Sequence, residues 1–163
     1  SRCVLHMRSR EKASEENRRL TGRRISTQTW AIVPKIKEVD EFLRETPCAR
    51  GKLREIHPEV LFCVLNKGDS MLHRKGLPEG FQERLCVLRN HFCRTDDLVN
   101  TALGMIQGRG AERDDILDAL AAAVTARLGE NGLTSIPASP EKDGCGLRME
   151  MRVPKSHHKS KDK

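Results

Sequence analysis

Three aspartates open the stretch RDDILDALAAAVTARL, Arg113 to Leu128, and these carboxylates are the side chains best placed to do chemistry. At 100° per residue, Ile116, Leu117, Leu120, Ala121, Val124 and Leu128 fall in one broad arc. The stretch therefore reads as a helix with one buried face. Asp114 and Asp118 lie side by side at a border of that arc, and Asp115 lies one turn below Asp118. Carboxylates at i, i+4 and i, i+3 repel unless a positive charge stands between them. Mg²⁺ or Mn²⁺ would suit, because both prefer hard oxygen ligands. The competing reading is capping: an aspartate at a helix start takes up unbonded N–H groups and interacts well with the helix dipole. Asp118 fits capping least. It stands a full turn in, before an alanine-rich run, where Asp is a poor helix former.

His57-Pro58-Glu59 is the second candidate. A carboxylate at the end of a strand is well placed to hold a metal or act as a general base; the competing reading is a surface turn glutamate. Arg23, Arg24, Lys35, Lys37 and Arg44 form a basic set able to meet phosphate, or a solvated helix face. Trp30 offers either base stacking or core packing. Cys86, His91 and Cys93 resemble metal ligands only loosely: helical amphipathicity explains Cys86, and no fourth ligand is evident. There is no phosphate-cradling glycine loop and no nucleophile elbow.

The elements that must position these residues follow from apolar period and breakers. EKASEENRRL, residues 11–20, has helical composition, and Thr21-Gly22 ends it. Ser26 suits the N-cap of STQTWAIVPKIKEVDEFLRE, whose Ile32, Ile36, Val39 and Leu43 recur at helical spacing. Pro34 either opens the main helix there or kinks a longer one. A buried strand is expected around Leu53 to Ile56. Glu59 to Leu65 reads as strand or short helix, because Pro58 biases His57 away from helix. Lys67 to Gly80 reads as a loop, Pro78 to Asn90 as a helix with Phe81, Leu85 and Leu88 on one face, and Asp96 to Met105 as a shorter helix. The acidic helix stops at Gly129 to Gly132. Thr134 to Gly146 reads as a linker, GLRMEMRV as an edge strand by alternation, and the tail from Pro154 as disordered.

The 163 residues suit one domain or part of one, and 37% apolar residues supply a modest core. Aromatics are scarce, with four Phe, one Trp and no Tyr, so aliphatic side chains must do the packing. The formal charge of +7 makes polyanions, nucleic acid among them, plausible partners, although much of the excess sits at the two ends. No apolar run approaches the roughly 20 residues that span a bilayer, so no membrane is expected. No signal peptide is read. Six cysteines without paired spacing suggest thiols in a reducing cytoplasm. The chain opens on Ser, with neither a strand nor a start signal.

Taken in order, ISTQTWAIVPKIKEVDEFL, REIHPEVLFCVLN, PEGFQERLCVLR, DDILDALAAAVTAR and GLRMEM resemble the predicted RNase-H-like nucleases of domain-of-unknown-function family 429. The resemblance runs from about Arg10 to Met151. It implies an α/β, RNase-H-like fold with a mixed sheet flanked by helices. It also implies phosphodiester hydrolysis with two carboxylate-held ions, one activating water and the other stabilising the leaving oxygen. The DDxxDA pattern matches Asp114, Asp115, Asp118 and Ala119, and HPE matches His57, Pro58 and Glu59. On that basis Glu59, Asp114, Asp115 and Asp118 are the expected Mg²⁺ or Mn²⁺ ligands. Glu59, Asp115 and Asp118 are the expected catalytic group, with Asp114 a further ligand or the cap. Such proteins begin with a strand bearing an essential aspartate and carry a second acidic residue on a later strand. Neither is found here, so the sequence reads as an N-terminally truncated domain. Its expected parts are a basic lead-in segment and helix (1–25), the C-terminal portion of the RNase-H-like domain (26–153) and a basic tail (154–163). The alternative function is a non-catalytic nucleic-acid-binding or structural module.

Overall fold

The computed structural model describes residues 2–108 and 110–155. The chain is α/β and mostly helical, and it forms two compact units, Ser1–Leu53 and Arg54–Lys163. The STQTW helix falls in the first of these units.

In the first unit, a 3₁₀ turn at Arg2–His6 precedes α1 (Arg10–Thr21) and α2 (Thr27–Glu45). The Ser9 side chain caps α1 by accepting from Lys12 N–H at 3.3 Å. The helix ends where Gly22 turns left-handed at φ 74°, a conformation open to glycine because it lacks Cβ. Ser26 caps α2, accepting from Thr29 N–H at 3.0 Å. Pro34 lies inside α2, on its exposed side, and so gives up one intrahelical N–H bond there. The core here is small: Val4, Ala13 and Val33, with Trp30 and Ile25 packed against them. Trp30 is thus a packing residue. Arg2 closes the unit on Asp40 at 2.6 Å.

The second unit holds α3 (Pro58–Leu65), α4 (Pro78–Arg89), α5 (Thr95–Ile106), α6 (Arg113–Leu128) and a hairpin of β1 (Leu133–Ile136) and β2 (Met151–Pro154). Pro58 and Pro78 each stand in the first turn of a helix, where their fixed φ is pre-organised and no donor is lost. Leu61 and Phe62 of α3, Leu85 and Leu88 of α4, Val99 of α5, Leu117, Leu120 and Ala121 of α6 and Val153 of β2 form one core. Each fully buried side chain of this size contributes about 1.5–3 kcal/mol. The arc drawn on α6 from the sequence is the face it buries.

Two expectations are corrected. Leu53 to Ile56 forms no strand. The Glu55 carbonyl accepts one bond from Arg152 N–H at 2.8 Å, and Pro58 then starts a helix. The second is the sheet. Among the described residues it has two antiparallel strands rather than a mixed set, registered Leu133↔Pro154 to Ile136↔Met151. β1 falls in a stretch expected to be linker. Its Ser and Thr carry little strand signal, and it is held by cross-strand partners. Ser135 Oγ donates to Glu150 Oε2 at 2.5 Å and accepts from Arg152 Nη1 at 2.7 Å. Of the expected tail, Pro154 closes β2, and 156–163 lie outside the described residues.

Candidate functional site

Four elements of the second unit contribute to a cluster of opposite charges: the starts of α3 and α6, the middle of α4 and the loop between α3 and α4. Its centre is Lys75, on that loop. The Lys75 ammonium lies 2.8 Å from Asp114 Oδ2 and 3.1 Å from Asp118 Oδ2. The i, i+4 carboxylate pair foreseen on α6 therefore does bracket a cation, and the cation is the protein's own. The hydrogen bond from Lys75 holds the Asp114 carboxyl below its ordinary range, with its own backbone N–H and the nearby Arg84 charge adding to the effect. Bonding to Asp114 first, then to Asp118, pushes Lys75 up. Asp118 is the more buried carboxylate, with 17% of its side chain exposed, and its second oxygen, Oδ1, is buried with no hydrogen-bond partner.

Glu59, in the first turn of α3, takes a different partner. Its two oxygens accept from Arg84 Nη2 at 2.9 and 2.8 Å. Arg84 is only 2% exposed, lies over the Phe62 ring at 5.5 Å, and donates through Nη1 to the carbonyls of Gly80 at 3.0 Å and His73 at 3.1 Å. It ties α3, α4 and the loop together. Asp115 turns back on its own helix: its carboxylate accepts from Glu112 N–H at 2.8 Å. Capping, weighed for Asp114 and Asp115 together, is thus the role of Asp115, while Asp114 faces Lys75. His57 is the residue before α3, and no side-chain cap bond forms there. The structure brings Asp114 and Asp118 together and gives Glu59 and Asp115 to other partners.

The loop carrying Lys75 is built onto α4. Glu83 accepts from Leu72 N–H at 2.7 Å and His73 N–H at 2.9 Å. Gly80 lets the Arg74 carbonyl approach so closely that a Cβ would lie 2.0 Å from its oxygen. Sequence reading missed Lys75, Glu83 and Arg84. Lys75 left no local signal. Arg84 left one: it falls three residues after Phe81 and four before Leu88, inside the apolar arc of α4, where a charge demands a partner. Cys86, His91 and Cys93 do not converge; His91 Nε2 bonds the Leu65 carbonyl at 2.8 Å. No disulfide joins the six cysteines.

The sequence profile of the family described as Protein of unknown function (DUF429) matches residues 1–142. This chain belongs to that family. The match takes in Glu59, Lys75, Arg84 and all three α6 aspartates, and leaves the GLRMEM segment outside it. No curated protein and no solved structure matches the chain. No helix among the described residues is long and apolar enough to cross a membrane.

Whether this DUF429 site suits a divalent ion turns on its donors. Among the described residues, no group of three or more His, Cys, Asp or Glu side chains is gathered to hold a metal. Asp114 and Asp118 form a two-carboxylate site of hard oxygens with the buried, unpartnered Oδ1 beside it. Mg²⁺ characteristically takes one or two carboxylates and completes its shell with water and substrate phosphate; here the Lys75 ammonium stands between the two. Glu59 and Asp115, as bonded here, do not add to it.

Proposed function

We propose that this protein is a divalent-metal-dependent nuclease of the RNase-H-like kind, with Asp114 and Asp118 as its metal-holding carboxylates. The observation carrying the reading is that both carboxylates converge on one cationic centre while Asp118 Oδ1 is left without a partner. Two-carboxylate Mg²⁺ or Mn²⁺ sites supply an activated water and neutralise charge on a phosphoryl group. This chain's own residues do the rest. α6 fixes the spacing of the two carboxylates, the start of that helix favours negative charge, and Arg84, lying over the Phe62 ring, holds Glu59. A nucleic-acid substrate accords with the formal charge of +7, and a cytoplasmic setting belongs to the same proposal.

The test is Mn²⁺-dependent cleavage of end-labelled single- and double-stranded DNA and RNA. Asp118→Asn is expected to abolish cleavage and leave the helical circular dichroism unchanged. Equal cleavage by wild type and variant would overturn the assignment, as would wild-type protein that leaves every substrate intact.

The second reading is a non-catalytic nucleic-acid-binding module. It is favoured by one observation: Asp114, Asp118 and Glu59 are already ion-paired with Lys75 and Arg84. In that case binding without cleavage is expected, weakening steeply as salt rises.

A further inference from the structure

The geometry points to a nucleic-acid-binding surface on the first unit: Arg10, Arg18, Arg23 and Arg24, gathered where the chain turns back along α1, take up the phosphodiester backbone of a nucleic acid. The inference rests on the nucleic-acid partner that both readings above share, and no metal enters it.

Charge is unevenly shared along the chain. Ser1–Leu53 carries 13 Lys and Arg against 7 Asp and Glu, so +6 of the formal +7 belongs to the first unit. Residues 54–153 carry 13 against 15. A polyanion is therefore drawn to the first unit more than to the unit that bears Lys75 and its aspartates. Within the first unit the cations divide. Lys37 lies 3.7 Å from Glu41 and Arg44 lies 3.9 Å from Asp40, so these two face carboxylates. Arg18, Arg23 and Arg24 are exposed and have no ion pair among the described residues.

The backbone beneath these arginines is held. After Gly22, residues 23–27 run antiparallel to α1 and are fixed at three points. Asn17 Nδ2 donates to the Arg23 carbonyl at 2.8 Å, Ile25 N–H donates to Ser14 Oγ at 3.3 Å, and Arg10 Nη1 donates to Thr27 Oγ1 at 3.1 Å. At 100° per residue, Ser14 and Asn17 fall within 40° of Arg10 on α1, and Arg18 follows Ser14 by one turn. The three glutamates of α1 fall 100° or more round from Arg10. Glu16 is taken by Arg19 at 2.7 Å, and Glu11 approaches Arg10 only to 3.7 Å. Arg10 and Arg18 stand about 12 Å apart along the helix, the scale of a few successive phosphates.

Two features separate this surface from a solvated helix face. All four cations are arginines, whose planar fork takes two phosphate oxygens at once. Side-chain hydrogen bonds also hold like charges together on one frame, an arrangement that a polyanion relieves. Ile25, the apolar residue beside them, packs against the small core, so the surface lacks the apolar anchor that a lipid layer requires.

The test titrates fluorescein-labelled single- and double-stranded DNA and RNA with the full chain in EDTA, over a range of salt, by anisotropy. Arg23→Ala with Arg24→Ala is expected to weaken binding about tenfold or more near physiological salt. It is also expected to lower the slope of log affinity against log salt by about 2, because each duplex phosphate contact contributes about 0.9. Removing two cations from the second unit, by Arg94→Ala with Arg148→Ala, is expected to change affinity less than about twofold, because exposed charges away from the contact are screened. Trp30 fluorescence is expected to be unchanged in the Arg23, Arg24 variant, since neither side chain holds the fold. Arg23→Lys with Arg24→Lys keeps both charges and is expected to keep the slope; a fall in slope there overturns the phosphate contacts. Equal loss of affinity in the two alanine variants overturns the surface, as does an unchanged slope in the Arg23, Arg24 variant, and both leave the nucleic-acid reading standing. Wild type that binds none of the four nucleic acids overturns that reading and the surface with it. Tighter binding of the wild type to phosphatidylserine vesicles overturns nucleic acid as the partner.

Discussion

α2 and α6 are read from sequence by the same rule, and their fates differ. Both carry apolar residues at spacings of three and four. α6 buries Ile116, Leu117, Leu120, Ala121 and Val124 among α3, α4, α5 and β2. α2 buries Val33, while Ile32, Ile36, Val39 and Phe42 stay 43–50% exposed within a unit whose core is Val4, Ala13 and Val33. Periodicity reports that a helix owns an apolar face. Whether anything covers the face depends on neighbours that the helix's own sequence does not describe. The covered helix is also the one that carries the candidate site, since packing on four elements is what fixes Asp114 and Asp118 against Lys75.

Mutations can break or sharpen this contrast. Trp30 lies in the first unit and gives that unit its own fluorescence signal, while far-UV circular dichroism follows all helices. The largest effect is expected from Leu117→Ala. Its side chain is fully buried, and the cavity left in the core should cost about 3 kcal/mol in a urea titration. Gly80→Ala comes next, at about 2 kcal/mol, because the new Cβ meets a backbone oxygen and the loop bearing Lys75 must move. A null result there would mean that the loop is not held by α4.

Asp114→Asn should cost about 1 kcal/mol near neutral pH, the upper end for a pair with one half-exposed partner. Its pH signature is more specific. The Asp114 pKa is lowered in the folded state, so its contribution is fully present above the ordinary carboxylate pKa of 3.8 and is lost as pH falls through the lower folded value. Wild type should therefore lose stability on acidification more steeply than Asp114→Asn, measured as urea midpoints between neutral and acid pH. Parallel slopes would exclude the Lys75 contact in solution.

The smallest effect is expected at Ile36→Ala, within about 0.5 kcal/mol by Trp30 fluorescence, since the side chain is already 43% exposed. A cost there approaching that of Leu117→Ala would show that the α2 face is covered in solution.

Much of the architecture was legible because it is local. Ser26 and Gly22 mark helix ends through caps that need only adjacent residues, and Pro78 marks a helix start through a fixed φ; Pro58 left strand and short helix open, and the structure makes it a helix start. β1 was not legible, because LTSI pairs with residues 15 to 21 positions away and carries no alternation of its own. The Leu53 to Ile56 strand was over-read: β-branched and apolar residues satisfy a strand pattern, yet the segment gains only a single bond from Arg152 before the helix begins.

For the site, the sequence by itself determined the helix, its buried arc and the adjacency of Asp114 and Asp118, because a helical repeat fixes neighbours at i, i+4 without reference to anything else. It also determined membership of DUF429, which rests on the match of that family's profile over residues 1–142. Only the tertiary structure decided which charges meet. Lys75 lies 39 positions before Asp114, counting 114 − 75, and Arg84 lies 25 positions after Glu59. Such pairings are set by how α3, α4 and α6 pack around one core. For that reason Glu59 and Asp115, grouped with Asp118 by motif, were drawn to separate partners, and an unremarked loop lysine became the centre of the site.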